Sequence, residues 1–209
     1  MKNWIMEDAR FESAYTKARS VLGKINCESG YMVSTESIMR AVQELTQTRI
    51  LYSKFDFSKL AAGSGYEKQI CNMGAAMSVE RKILFDGKEE KTAYVLLNEK
   101  ETPEMIRFSL VHELGHLMTE CGMEDQEEGY KISAHIDMDI TSIPKEVLDD
   151  PNKAFLVDEQ IANIFSLLVL MPQDAFIRAL KNYDKISDIA KLFGVEPDAV
   201  KSRMLLLVE

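Results

Sequence analysis

Two of the chain's three histidines stand four residues apart, in His112-Glu113-Leu114-Gly115-His116. On a helix that spacing puts both rings on one face, where they can share an ion. Glu113 flanks the pair and is placed to reach a water at the ion rather than the ion itself. The chemistry implied is metal-assisted hydrolysis, with Glu113 as general base. Chance is a poor explanation: with 3 His and 21 Glu in 209 residues, about 0.004 such matches are expected.

A catalytic zinc takes three protein ligands and keeps one position open. Glu159 is the choice for the third. It begins Glu159-Gln160-Ile161-Ala162-Asn163-Ile164-Phe165, in a segment otherwise strongly apolar. A carboxylate there is costly to bury unless it coordinates or pairs. Asn163, one turn on, shares its face and can hold a ligating histidine through the other ring nitrogen. His135 is the rival ligand, followed by Glu120 and Glu124. Tyr130, His135 and Tyr94 are the candidates for a donor to the developing oxyanion. The expected cofactor is one Zn2+ per chain.

Positioning these groups requires a helix over the first motif. Thr102 suits its N-cap, Pro103 its first position and Glu104 its first turn, and it is expected to run to about Thr119, with Gly122 as the stop. A second helix is expected over roughly 153–170, ended by Pro172. Before them, Phe11, Ala14, Tyr15, Ala18 and Leu22 have helical spacing, and Ser34 or Thr35 caps a helix with Ile38, Val42 and Leu45 on its apolar stripe. Residues 49–57 read as extended, and 61–65 as a loop. Val79–Phe85 and Lys91–Asn98 read as a hairpin around Asp86-Gly87. The strand 93–98 reads either as a sheet edge open to an extended peptide or as an interior strand. After Pro172 come a short helix over 174–181, a stripe of Ile186, Ile189, Ala190 and Phe193 closed by Gly194, and a last helix opened by Pro197 with Val200, Met204 and Leu207 on one face.

The order of elements indicates an α+β fold, a small antiparallel or mixed sheet packed against helices. One domain is expected over 1–209: an N-terminal helical part (1–60), a zinc-binding core (76–172) and a C-terminal helical part (173–209). The net charge of −9 is concentrated: Glu120 to Asp158 holds eleven acidic residues and three lysines, a net of −8. This acidic insertion reads as a solvated surface or as a surface that steers a basic partner. Such a chain is a poor general binder of DNA backbone. Residues 174–209 carry six basic and six acidic residues, so their helix-turn-helix-like spacing suits packing or partner docking better than DNA reading. The longest apolar run, about 164–171, is too short to cross a membrane. The beginning of the chain lacks a signal-peptide core, and Cys27, Cys71 and Cys121 read as reduced thiols of a cytoplasmic protein.

Arg107-Phe108-Ser109-Leu110-Val111-His112-Glu113-Leu114-Gly115-His116 resembles the motif helix of the ImmA/IrrE metallopeptidases. Glu159 to Ser166, then Val169-Leu170-Met171-Pro172, resembles that family's second motif. The strand ending in Leu97-Asn98 is similar too, as is the tail, Ile189 to Val195 with Ala199-Val200 and Arg203. The resemblance covers roughly residues 76–208. It implies a zincin-like core with a gluzincin-type site, in which His112, His116 and Glu159 hold zinc and Glu113 is the base. It also implies a partner, because family members on prophages and conjugative elements cleave the helix-turn-helix repressor that silences the element, and relatives act in DNA-damage responses. Two departures stand out: 42 residues separate His116 from Glu159, and position 120 is Glu where many members carry His. The expected function is thus a zinc metalloendopeptidase acting on a DNA-binding repressor of a mobile element or stress regulon. The alternative is a non-proteolytic regulator of the same fold that binds a repressor or senses zinc; Glu113 favours the enzyme.

Overall fold

A computed structural model describes residues 9–25, 30–65, 67–71, 73–120, 149 and 154–207. Glu124, Tyr130 and His135 lie outside the described residues, as does nearly all of the acidic insertion and with it any test of its steering role.

A short 3-10 turn, Ala9–Phe11, leads into α1 (Glu12–Lys24), followed by α2 (Thr35–Thr46) and β1 (Thr48–Phe55). Two short helices, α3 (Phe57–Ala61) and α4 (Glu67–Cys71), precede β2 (Ala75–Ile83) and β3 (Glu89–Asn98). The motif helix α5 (Pro103–Thr119), α6 (Ala154–Leu170), α7 (Gln173–Asn182), α8 (Ile186–Phe193) and α9 (Pro197–Leu205) follow. The architecture is α+β, with a three-stranded mixed sheet packed against helices.

The sheet order is β1-β3-β2. β2 and β3 form the expected hairpin, antiparallel from Ala75↔Leu97 to Ile83↔Glu89. Its turn uses Gly87 at φ 79, a left-handed conformation that glycine adopts without a Cβ clash. β1 runs parallel to β3, from Thr48↔Lys91 to Phe55↔Asn98. β3 is therefore the central strand, which decides for the interior reading of 93–98 and against the sheet edge: both of its sides already carry ladder partners. Strand alternation sends Ala93, Val95 and Leu97 into the core and turns Tyr94 to the opposite, exposed face.

Thr102 caps α5 as its sequence indicates, its Oγ1 accepting from the Met105 amide at 3.1 Å. The helix runs to Thr119, as expected, and it is Glu120 in a left-handed conformation (φ 57), rather than Gly122, that caps its end. α6 is apolar almost all round, which marks a helix surrounded by protein. Every residue from Glu159 to Leu167 is buried. α5 lies directly against it, and Gly115 permits the approach. A Cβ at Gly115 would stand 3.0 Å from Phe165 Cδ1 and 3.1 Å from Ala162 Cα.

The C-terminal helices are locked onto the motif helix. The Arg107 guanidinium donates to the carbonyls of Phe193, Gly194 and Val33. Gly194 closes α8 at φ 61, and the Val195 amide reaches back to the Ala190 carbonyl at 3.1 Å. In α9 the buried face differs from the expected stripe. Val200 is buried, but Met204 is exposed and its neighbour Arg203 is fully buried. No described helix is long and apolar enough by itself to cross a membrane.

Candidate metal centre

α5 supplies His112 and His116 one turn apart, and α6 supplies Glu159 and, one turn on, Asn163. Their arrangement follows from the close contact at Gly115, which lies between the two histidines. His112 Nε2 is 3.0 Å from Glu159 Oε2, His116 Nε2 is 3.3 Å from Glu159 Oε1, and the two Nε2 atoms are 3.1 Å apart. His116 is wholly buried, and the side chains of Glu159 and His112 retain 6% and 11% exposure.

Asn163 Oδ1 lies 2.9 Å from His112 Nδ1. An amide oxygen only accepts, so Nδ1 donates and a neutral His112 ring presents its Nε2 lone pair toward Glu159. With its Nδ1 donating, a neutral His112 ring turns its Nε2 on the Glu159 carboxylate as two acceptors at 3.0 Å, a contact relieved by a proton on Nε2 or by a cation between them. The acid–base balance of the cluster agrees. Burial opposes a charged His112, yet the hydrogen bond and charge of Glu159, with smaller contributions from Glu113 and Asn163, raise its pKa. Burial likewise opposes the Glu159 carboxylate, yet hydrogen bonds and charge from His112 and His116 hold its pKa well below the usual range. Positive charge belongs in this cluster.

A divalent ion fits it. The three ligand atoms lie within 4.8 Å of one another. Atoms bound at about 2.0–2.1 Å around one tetrahedral ion stand about 3.3–3.4 Å apart. The two Nε2 atoms, 3.1 Å apart, lie close to that spacing, and each has one Glu159 oxygen at a similar distance, Oε2 at 3.0 Å from His112 and Oε1 at 3.3 Å from His116. Two imidazoles and a carboxylate are also a donor set suited to a borderline-soft metal. His112, His116 and Glu159 therefore form a buried group able to hold a metal ion, with Asn163 orienting one ligand.

Glu113 is 1% exposed and is no member of the triad. It directly follows His112 in α5, and its charge contributes to raising the His112 pKa. Glu120 is exposed beyond the end of α5 and is not gathered into the cluster. Nor does the structure bring Tyr94 to the metal ligands. Its hydroxyl donates to Glu80 Oε2 at 3.1 Å on the exposed face of the sheet, and this contact and the Glu80 charge raise its pKa. Sequence spacing gives no sign of Gly115's role, although the close contact it allows sets the separation of the two ligand-bearing helices. Compared with known proteins, the chain matches no family model and no curated protein.

Proposed function

We propose that the protein is a zinc-dependent metalloendopeptidase of the ImmA/IrrE type, with His112, His116 and Glu159 as ligands and Glu113 as general base. The observation that carries this reading is the convergence of His112, His116 and Glu159 within 4.8 Å, with Glu113 next to His112 in the motif helix. Bound there, zinc would polarise a scissile carbonyl and make water a better nucleophile at neutral pH. Glu113 takes the proton of the attacking water as the water oxygen bonds to the carbonyl carbon. It returns that proton to the amide nitrogen as the carbon–nitrogen bond breaks. Asn163 keeps the His112 ring turned so that Nε2 faces the ion. Confinement of the base in a buried setting strengthens each of these electrostatic contacts.

The two motif resemblances support a helix-turn-helix repressor of a mobile element or stress regulon as the substrate. The balanced charge of 174–209 and the bonds from Arg107 to the α8–α9 turn support a packing role for the C-terminal helices rather than DNA reading. The test is incubation of the zinc-loaded protein with the repressor encoded beside it, with Glu113→Gln as the control. The wild type is expected to cleave the repressor. Glu113→Gln is expected to bind zinc normally and lose cleavage by at least about 100-fold, because an amide cannot accept the proton. Equal cleavage by both proteins would remove Glu113 as the base. Binding of the repressor without cleavage by either would favour the non-proteolytic alternative.

A further inference from the structure

At the other end of α6 from Glu159 lies a cavity of about 970 Å³ between α1, the segment leading into α2, and α7. Leu168 lines it, nine residues beyond Glu159, or about 13 Å along the helix. The chain carries a net charge of −9, yet among the described residues the charged side chains lining this cavity are Arg19, Arg178 and Arg203 against Asp174.

Arg203 is the unusual member. It is fully buried, with its Nε donating to the Met171 carbonyl at 3.0 Å and its guanidinium 5.2 Å from the centre of the Phe176 ring. Among the described residues, neither Nη1 nor Nη2 has a hydrogen-bond partner. Burial lowers its pKa to about 10, and burial raises that of Tyr15, which also lines the cavity, to about 12. A buried cation with two unused donors is costly unless an anion compensates it. Arg178 and Arg19 are exposed at the cavity lining, and Arg178 stands 5.9 Å from the centre of the Tyr31 ring. Leu22, Ile25 and Val33 supply apolar wall.

We propose that this cavity is a second binding site, separate from the metal centre, for a small organic carboxylate. The two-oxygen head group matches the paired Nη1 and Nη2 donors that Arg203 has left. The apolar wall takes the organic body, and Arg19 and Arg178 attract the anion to the opening. A tetrahedral inorganic anion would leave the apolar wall unused.

The test is calorimetric titration of the full-length, zinc-loaded protein at low ionic strength with benzoate, phenylacetate and octanoate. Phenylacetamide and inorganic phosphate serve as comparisons. At least one carboxylate is expected to saturate a single site, with the amide and phosphate weaker by about tenfold or more. Arg203→Met keeps the apolar bulk and is expected to abolish binding. Should that variant not fold, Arg19→Gln with Arg178→Gln alters only exposed side chains and is expected to weaken binding by about tenfold while zinc content stays the same. The proposal fails if none of the three carboxylates saturates a site, if amide or phosphate binds as tightly, or if affinity is unchanged in whichever of these variants folds.

Discussion

Substituting Gly115 by alanine probes the link between helix packing and the metal centre. The added Cβ would meet Phe165 Cδ1 at 3.0 Å, Ala162 Cα at 3.1 Å and the Ala162 carbonyl oxygen at 3.2 Å. Unstrained carbon contacts begin at about 3.5 Å, so α5 and α6 must separate by several tenths of an ångström. Two effects then oppose each other. Alanine favours the helix by about 1 kcal/mol over glycine. Overpacking against backbone that cannot turn aside costs about 1–3 kcal/mol. The net is a loss of roughly 0–2 kcal/mol, which lowers Tm by no more than about 8 °C in a chain of this size. The metal centre is affected more, because a ligand set tolerates displacements of only about 0.2 Å. His112 and His116 ride on one helix and Glu159 on the other, so the same separation opens the triad. Zinc affinity is expected to fall by about 10–100-fold, the range seen when a ligand loses its orienting partner. Chelator competition measures the affinity and thermal melting the stability. Unchanged zinc affinity in a folded Gly115→Ala protein would refute the claim that this contact sets the ligand spacing.

Two further substitutions separate the site from its scaffold. Asn163→Ala removes the 2.9 Å partner of His112 Nδ1 and is expected to weaken zinc binding by about 10–100-fold in a competition assay, with the fold retained by circular dichroism. Gly194→Ala forces a Cβ onto a backbone at φ 61 and within 3.0 Å of Arg107 Nη1. It is expected to destabilise the protein by about 1–2 kcal/mol in urea unfolding while leaving zinc affinity unchanged.

The residues of the centre were legible because each carried a local signal. The four-residue histidine spacing needs only a helix to become a site, and Thr102-Pro103 marks where that helix starts. Glu159 and Asn163 stood out as polar residues one turn apart in a segment whose remaining residues belong in a core. What stayed hidden depends on partners distant in the chain. Nothing in Ala93–Asn98 says that β1, about forty residues earlier, pairs along its free side and makes it the central strand. The short helix α3 falls partly within a segment read as extended, since five residues carry too little periodicity to show a helix. In α9 the apolar stripe favoured Met204, but the structure buries Arg203, whose Nε finds the Met171 carbonyl and whose guanidinium lies over Phe176. A residue-type rule places arginine outside; only the tertiary neighbours reveal the accommodation. The role of Gly115 is of the same kind, since a glycine inside a helix reads as a weakness until the opposing helix is seen.

Zinc titration of the metal-free protein beside Glu159→Ala, with Glu113→Gln as the control that leaves the ligands intact, tests the central claim most directly. The wild type and Glu113→Gln are expected to bind one ion per chain with equal affinity. Glu159→Ala is expected to bind at least about 100-fold more weakly, because it loses one of three ligands. Full affinity in a folded Glu159→Ala protein would contradict the assignment, and with it the conclusion that α5 and α6 come together to build a metal centre.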